Sequence, residues 1–111
     1  MNEMRRKVLR SCIRAASQAK SSEELELVVE DLRSIMEEEE ESRENLPENL
    51  LSSDRYYDSE AASDLMEQAV ECYEEAMDLF EEEEPEKRCV LIREANGFLT
   101  GIPRVNQQDS C

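Results

Sequence analysis

Carboxylates are the most abundant side chains that could do chemistry in this chain, with 29 Asp and Glu among 111 residues. General acid–base catalysis most often uses histidine, and di-iron or di-manganese bundles need Glu-x-x-His pairs, but the sequence contains no histidine. Its two glycines, Gly97 and Gly101, form neither a glycine-rich phosphate loop nor the glycine-centred loop of a calcium site. We therefore predict that the protein is not an enzyme, and we expect neither a metal ion nor a cofactor.

The four cysteines lack the spacing of a zinc site. No C-x-x-C pair occurs among Cys12, Cys72, Cys89 and Cys111, and the nearest two are 17 residues apart. We interpret them as free thiols in a reducing cytosol, with Cys12 and Cys72 acting as small core residues. The sequence also has no apolar run long enough for a signal peptide or a membrane span. These features predict a cytoplasmic protein without a membrane partner.

The negative charge is concentrated in the middle of the chain. The net charge of −16 divides into +5 for residues 1–20, −23 for residues 21–86 and +2 for residues 87–111. The densest runs, Glu37–Glu41 and Glu81–Glu84, lie where helices are predicted to end. A carboxylate at the end of a helix destabilises it by about 0.3–1 kcal/mol per site, because it meets the negative pole of the helix dipole. Carboxylates one turn apart also repel one another. Such runs are most often solvated helix faces. Destabilisation accepted at two separate sites nevertheless favours a functional role for the negative charge.

Apolar periodicity predicts an all-α protein, a small three- or four-helix bundle built on an antiparallel helical hairpin. The predicted helices span about residues 3–19, 22–44, 59–83 and 85–96. Ser21 to Glu24 has the pattern of a capping box, which favours a break near residues 20–22, although one continuous helix is an open alternative. We expect a single helical domain over residues 1–102, followed by a frayed tail at residues 103–111.

The third predicted helix carries the strongest apolar pattern. Its seam, with alternating spacings of three and four, consists of Ala62, Leu65, Ala69, Cys72, Ala76 and Leu79. A second row widens this seam on one side and consists of Met66, Val70, Tyr73, Met77 and Phe80. A seam flanked by a second row is typical of a helix that contacts two neighbours. The fourth helix is predicted to begin at Pro85 and to end in a C-terminal cap at Asn96-Gly97.

The segment between the second and third predicted helices combines a helix stop with apolar residues. The Asn-Leu-Pro sequence at residues 45–47 ends the second helix, because proline disfavours the helical conformation in the residue before it. Leu46, Leu50 and Leu51 are expected to fold back over the open end of the hairpin. The Arg-Tyr-Tyr sequence at residues 55–57 has two interpretations. We favour local packing of one ring, and the alternative is a set of exposed partner contacts, since Tyr and Arg are enriched at binding hot spots.

One motif in this region resembles a known group of proteins. The residues that fit the pattern N-[LM]-P-E-[NS]-L-x-x-S-x-R are Asn45, Leu46, Pro47, Glu48, Asn49, Leu50, Ser53 and Arg55. With the Glu-rich helix before it and the acidic helix after it, the chain resembles, over about residues 30–80, small acidic proteins of phages and mobile elements of Gram-positive bacteria. The resemblance implies a helical hairpin and a mobile-element setting, and it implies no defined activity. The basic residues 1–20 and the segment after Pro85 depart from the pattern.

Two functional hypotheses follow from the charge. A helical hairpin rich in carboxylates presents negative charge at a density comparable to a DNA duplex, which has roughly one charge per 1.7 Å of axis. The first hypothesis is therefore a DNA-mimicking phage or mobile-element inhibitor, of the anti-CRISPR kind, that blocks a basic, nucleic-acid-binding host defence protein and does not itself bind nucleic acid. The alternative is a helical adaptor, scaffold or antitoxin-like protein that binds a partner, or itself as a homodimer, through an apolar helix face. The candidate partner-binding residues are Glu37, Glu38, Glu39, Glu40, Glu41, Glu44, Glu74, Glu75, Asp78, Glu81, Glu82, Glu83, Glu84, Arg55, Tyr56 and Tyr57.

Overall fold

The computed structural model describes residues 1–47, 49 and 53–105. Its helices, numbered in chain order, are α1 (Glu3–Gln18), α2 (Ser22–Glu44), α3 (Asp54–Glu81) and α4 (Pro85–Thr100). The described part of the chain contains no strand, which confirms the predicted all-α class. None of the described helices is both long enough and apolar enough to cross a membrane.

The four helices form a closed ring in which each helix packs against the next. Helix α2 contacts α1 and α3, and α4 contacts α3 and α1. Helices α1 and α4 run antiparallel, because Ser17 meets Asn96 at one level while Arg6 meets Pro103 nearer the start of α1. The antiparallel α2–α3 pair is the predicted hairpin. The result is the up-down-up-down arrangement of a small helical bundle.

The break between α1 and α2 is built as the sequence predicts. The hydroxyl of Ser21 accepts a hydrogen bond from the backbone N–H of Glu24 at 3.2 Å. The carboxylate of Glu24 in turn reaches back to accept from the backbone N–H of Lys20 at 2.6 Å. The first bond satisfies a donor that the first turn of the helix leaves free, and the second differs from a standard capping box only in reaching the residue before the N-cap. The alternative of one continuous helix is wrong.

The core contains apolar residues from all four helices and from the segment that follows α4. Its largest fully buried apolar members are Tyr73, Leu9, Leu25, Leu32, Met66, Leu99, Ile102 and Val105. On α3 the most buried line is shifted from the predicted seam: Met66 and Tyr73 are 0% exposed, whereas Leu65, Cys72 and Leu79 are only half-buried. The line falls between the two predicted rows because α3 packs against both α2 and α4.

A chain of hydrogen bonds joins α1, α3 and α4. The hydroxyl of Tyr73 on α3 donates to Oδ1 of Asn96 on α4, and Nδ2 of Asn96 donates to the Ser17 hydroxyl on α1 at 2.9 Å. Burial raises the pKa of Tyr73, because the ionised phenolate would lose its hydration. The hydroxyl therefore stays protonated and remains a donor.

Two helix boundaries differ from the prediction. Helix α3 begins at Asp54 instead of about residue 59, because the hydroxyl of Ser53 caps its first turn by accepting from the backbone N–H of Tyr56 at 3.4 Å. Helix α4 continues to Thr100 instead of ending at about residue 96. The predicted cap at Asn96-Gly97 is therefore wrong, and Gly97 lies inside the helix.

The segment after α4 packs on the bundle. Ile102 and Val105 are buried, and Nε of Arg6 donates to the carbonyl oxygen of Pro103 at 3.1 Å. The prediction of a frayed tail is therefore wrong for residues 103–105. The rest of the predicted tail, residues 106–111 with Cys111, lies outside the described residues.

Candidate partner-binding surfaces

The two glutamate runs lie at opposite ends of the α2–α3 hairpin. Near the end of α2, Glu39 accepts a hydrogen bond from Ser59 near the start of α3, and farther along Arg33 pairs with Glu74. The 22 residues between Ser59 and Glu81 correspond to about 33 Å at 1.5 Å per helical residue. The structure therefore does not assemble the predicted acidic residues into one continuous surface.

Glu39 is inside the bundle, so its predicted role as a partner contact is wrong. Its side chain is 2% exposed, and its carboxylate accepts from the Ser59 hydroxyl at 2.6 Å and from Nε of Arg5 at 3.0 Å. The α-amino group of Met1 lies 3.4 Å from the same carboxylate. Burial raises the pKa of Glu39, but the Ser59 hydrogen bond, the α-amino group and Arg5 outweigh it, so the pKa is lowered overall. Glu39 thus joins α1, α2 and α3 as a buried anion.

The other glutamates near the end of α2 form a solvent-exposed surface that we name the α2 acidic ridge. It consists of Glu37, Glu38, Glu40, Glu41 and Glu44. They line, together with Ser34, a shallow groove of about 420 Å³. Among the described residues, Glu38 is the only ridge glutamate with a cation within 4.0 Å. Its Oε1 lies 4.0 Å from Nη1 of Arg5. With respect to the described residues, the ridge therefore presents four carboxylates without a paired cation and one that is weakly paired.

A second acidic surface lies between the end of α3 and the start of α4, and we name it the acidic groove. Its volume is about 780 Å³. The carboxylates along it belong to Glu75, Asp78, Glu82, Glu84, Glu86 and Glu94. Its apolar lining comes from Leu79, Val90 and Leu91, and Val90 is 51% exposed. Lys87 also lines the groove and pairs with Glu84 at 3.3 Å. The groove thus combines negative walls with an apolar floor.

The remaining predicted carboxylates lie outside the groove. Glu74 forms an exposed ion pair with Arg33 at 2.8 Å, so part of its charge is compensated. Glu81 is exposed at the end of α3, and Glu83 is exposed in the turn between α3 and α4. Glu83 has a φ of 53°, in the left-handed region that favours glycine, so this turn carries backbone strain.

The Arg-Tyr-Tyr residues 55–57 lie in the first turn of α3, where one of them is half-buried and two are exposed. Tyr56 is half-buried and Tyr57 is 58% exposed, and their rings meet edge to face with centroids 6.0 Å apart. This arrangement is the one expected from local packing of one ring. Arg55 is exposed and forms no ion pair with any described residue. Leu46, expected to cover the end of the hairpin, is half-buried, and Leu50 and Leu51 lie outside the described residues.

The thiols and carboxylates offer little reactive chemistry. In the described part of the chain no group of three or more Cys, Asp or Glu is placed to hold a metal ion. Cys12, Cys72 and Cys89 are free thiols. Burial raises the pKa of Cys12 to about 12, and burial together with the nearby Glu94 raises that of Cys72. These two thiols are therefore poor nucleophiles at neutral pH.

Sequence reasoning missed the part of the acidic groove that α4 contributes. Glu86, Glu94 and Val90 were not among the candidates, because the prediction followed only the dense glutamate runs. Val90 gave a usable signal, since it does not fit the apolar face of α4 that includes Ile92 and Ala95. A large apolar residue on the polar side of an amphipathic helix marks a surface that a neighbour or partner can cover.

Comparison with known proteins adds no relative from which a role could be transferred. No protein-family model, curated protein or solved structure matches the chain.

Proposed function

We propose that this protein is a non-enzymatic acidic binding protein that engages a basic partner protein, with the α2 acidic ridge as the principal contact surface. The observation that carries the proposal is the row of carboxylates along the end of α2, nearly all without a cation nearby. Five charges over residues 37–44 correspond to one per about 2.4 Å of helix axis. This density is close to the roughly one charge per 1.7 Å of duplex DNA.

The partner that suits such a surface is a protein whose Lys and Arg side chains are arranged to bind phosphates. Carboxylates at this spacing would compete with the nucleic acid for those side chains, and association would be fast and sensitive to salt. The same charge repels nucleic acid from the ridge. The resemblance of residues 30–80 to acidic phage and mobile-element proteins favours a host defence protein as the target and a cytoplasmic site of action.

The acidic groove supports a second candidate function, that of a helical adaptor. Its floor exposes Val90, with Leu79 and Leu91 beside it, and these residues could accept the apolar face of a partner helix. Binding through this surface would depend on apolar contact more than on the number of charges. The two functions therefore predict different responses to salt and to mutation.

The deciding experiment changes the five ridge glutamates to glutamine. The control variant changes five exposed carboxylates elsewhere, Glu23, Glu26, Glu30, Glu67 and Glu71, so that both variants lose the same charge. Binding proteins would be captured from nuclease-treated host lysate, and each would be tested for displacement from labelled duplex DNA by fluorescence anisotropy.

The expected result is that the unmodified protein and the control variant displace DNA, while the ridge variant does not. If both variants lost the ability to displace DNA equally, the total charge alone would explain the effect. That result would contradict a binding site confined to the ridge. Partner binding that is retained in the ridge variant and at high salt, but is lost in the Val90→Ser variant, would favour the adaptor function.

A further inference from the structure

The end of the bundle near the start of α1 contains a small pocket whose charge is opposite in sign to the net charge of the molecule. It has a volume of about 180 Å³ and is lined by Arg5, Arg43 and Arg55, by the α-amino end of Met1 and by Glu39. Asn2, Ser42 and Ser59 add further polar groups. We name it the basic pocket. Its cations come from α1, α2 and α3, so the bundle has to fold before they converge.

Among the described lining residues of the basic pocket, the cationic groups outnumber the carboxylates. Glu39 is the one carboxylate among its described lining residues, and it is already engaged by Arg5 and by the α-amino group. Neither Arg43 nor Arg55 has a described carboxylate within 4.0 Å. Uncompensated arginines are notable in a chain with 29 acidic residues.

The guanidinium of Arg43 is held in place by neutral groups. Its Nη1 donates to the hydroxyls of Ser59 and Ser63 at 3.1 and 3.0 Å. Both bonds use the same nitrogen, so Nε and Nη2 have no acceptor among the described residues. A guanidinium fixed in this way loses little conformational freedom when an oxyanion binds to its free edge.

We propose that the basic pocket binds a phosphate group, either as free phosphate or as the terminal phosphate of a mononucleotide. Arginine forks match the oxygens of phosphate with paired hydrogen bonds, and a doubly charged anion would offset most of the excess positive charge. The ligand is small, because the α2 acidic ridge on the same end of α2 would repel an extended polyanion. A mononucleotide has room for its remainder in a neighbouring cleft of about 390 Å³, which shares Arg55 and Met1 with the pocket.

The test titrates the intact protein with sodium phosphate and, separately, with adenosine monophosphate at constant ionic strength. Heteronuclear NMR would follow the backbone signals near Arg5 and the side-chain Nε signals of the arginines. Arg55→Gln is the diagnostic variant, because Arg55 is exposed and makes no described bond that its loss would break. Arg14→Gln is the matched control, since Arg14 is an exposed arginine of α1 that contacts only Ser11.

The expected result is saturable binding that Arg55→Gln weakens by about tenfold or more and that Arg14→Gln leaves unchanged, because a hydrogen bond to a charged group is worth about 1.5–3 kcal/mol. Binding of phosphate without the nucleotide would identify free phosphate as the ligand and support the proposal. Binding of the nucleotide without free phosphate, weakened by Arg55→Gln, would identify a mononucleotide as the ligand and also support the proposal. Two results would overturn it: no saturable change with either ligand, or equal weakening in both variants.

Discussion

At the scale of single residues, Glu39 explains part of the puzzling placement of negative charge at the end of α2. A carboxylate there is unfavourable for the helix dipole, but this one is surrounded by Arg5, the α-amino group and the Ser59 hydroxyl. Its neighbours along the helix have no such surroundings. Within one run of five glutamates, the structure therefore separates one internal anion from four that face solvent.

Glu39→Gln should lower the free energy of unfolding by about 3 kcal/mol at neutral pH, because an amide leaves the partly buried Arg5 without its carboxylate. Chemical denaturation measures the change. Glu38→Gln is the matched control, since that side chain is 55% exposed, and it should change stability by less than about 0.5 kcal/mol. Equal losses in the two variants would contradict the internal role of Glu39.

The stability difference between the unmodified protein and Glu39→Gln should also depend on pH. Burial raises the pKa of Glu39, but the hydrogen bond from Ser59 and the two nearby cations lower it by more. Its pKa is therefore below the ordinary value of 4.5. A group with a lowered pKa stabilises the fold above its unfolded pKa and loses that contribution as the pH falls through its folded pKa. The difference should be constant near neutrality and shrink below about pH 4.5. A difference that persists in strong acid would be inconsistent with an ionised Glu39.

Glu83→Gly should stabilise the protein by about 0.5–1 kcal/mol, because glycine adopts a positive φ without the steric cost that glutamate bears. Thermal or chemical unfolding measures the gain. The control is Glu82→Gly, which removes the same charge one residue earlier, where φ is −85° and glycine brings no relief. If both variants gained equally, charge removal and not backbone strain would be the cause.

At the scale of helices, the sequence predicted what depends on local patterns and missed what depends on distant contacts. The cap at Ser21 and the apolar periodicity that predicted a helix over residues 22–44 are local, and both are confirmed. The start of α3 was missed, because its first turn has no apolar stripe and forms on the Ser53 cap. The end of α4 was missed because burial of Leu99 in the bundle overrides the Asn-Gly stop signal.

The candidate surfaces were predictable only in part, for the same reason. The exposed glutamates of the α2 acidic ridge follow from composition and periodicity. Glu39 could not be separated from them by sequence, since its partners Arg5 and Ser59 lie 34 and 20 residues away. The convergence of Arg5, Arg43 and Arg55 likewise requires the packing of three helices.

Leu32→Ala should destabilise the bundle by about 2–5 kcal/mol, because Leu32 is fully buried and its removal leaves a cavity. Leu27→Ala makes the same change on the same helix at a side chain that is 62% exposed, and it should cost less than about 0.5 kcal/mol. Denaturant unfolding of the two variants compares them directly. Similar losses would mean that α2 packs through a different face.

At the scale of the whole molecule, surfaces of opposite charge surround a core that is mainly apolar. The α2 acidic ridge and the acidic groove lie at opposite ends of the bundle, and the basic pocket lies at the same end as the ridge. The net charge of −16 opposes compaction at every point, since like charges separated by less than a Debye length repel. The packing of the core therefore has to outweigh the repulsion among the negative charges.

Added salt should raise the melting temperature, because it screens this repulsion over about 10 Å at 0.1 M. The variant with five ridge glutamines should melt higher than the unmodified protein in low salt and should gain less from added salt. Differential scanning calorimetry over a salt series measures both quantities. A melting temperature that falls as salt rises would mean that attractive ion pairs outweigh the repulsion.

The packing of residues 102–105 against α1 has a consequence for chain connectivity. Because Arg6 donates to the carbonyl of Pro103, and Met1 lines the same cleft as Pro103, the segment after α4 lies close to the start of the chain. A short linker from this segment to residue 1 would close the backbone into a circle without crossing the core. The circle could then be opened between residues 47 and 53 to give a circular permutant with all four helices intact. Its new ends would lie beside the α2 acidic ridge, and the acidic groove would be unchanged.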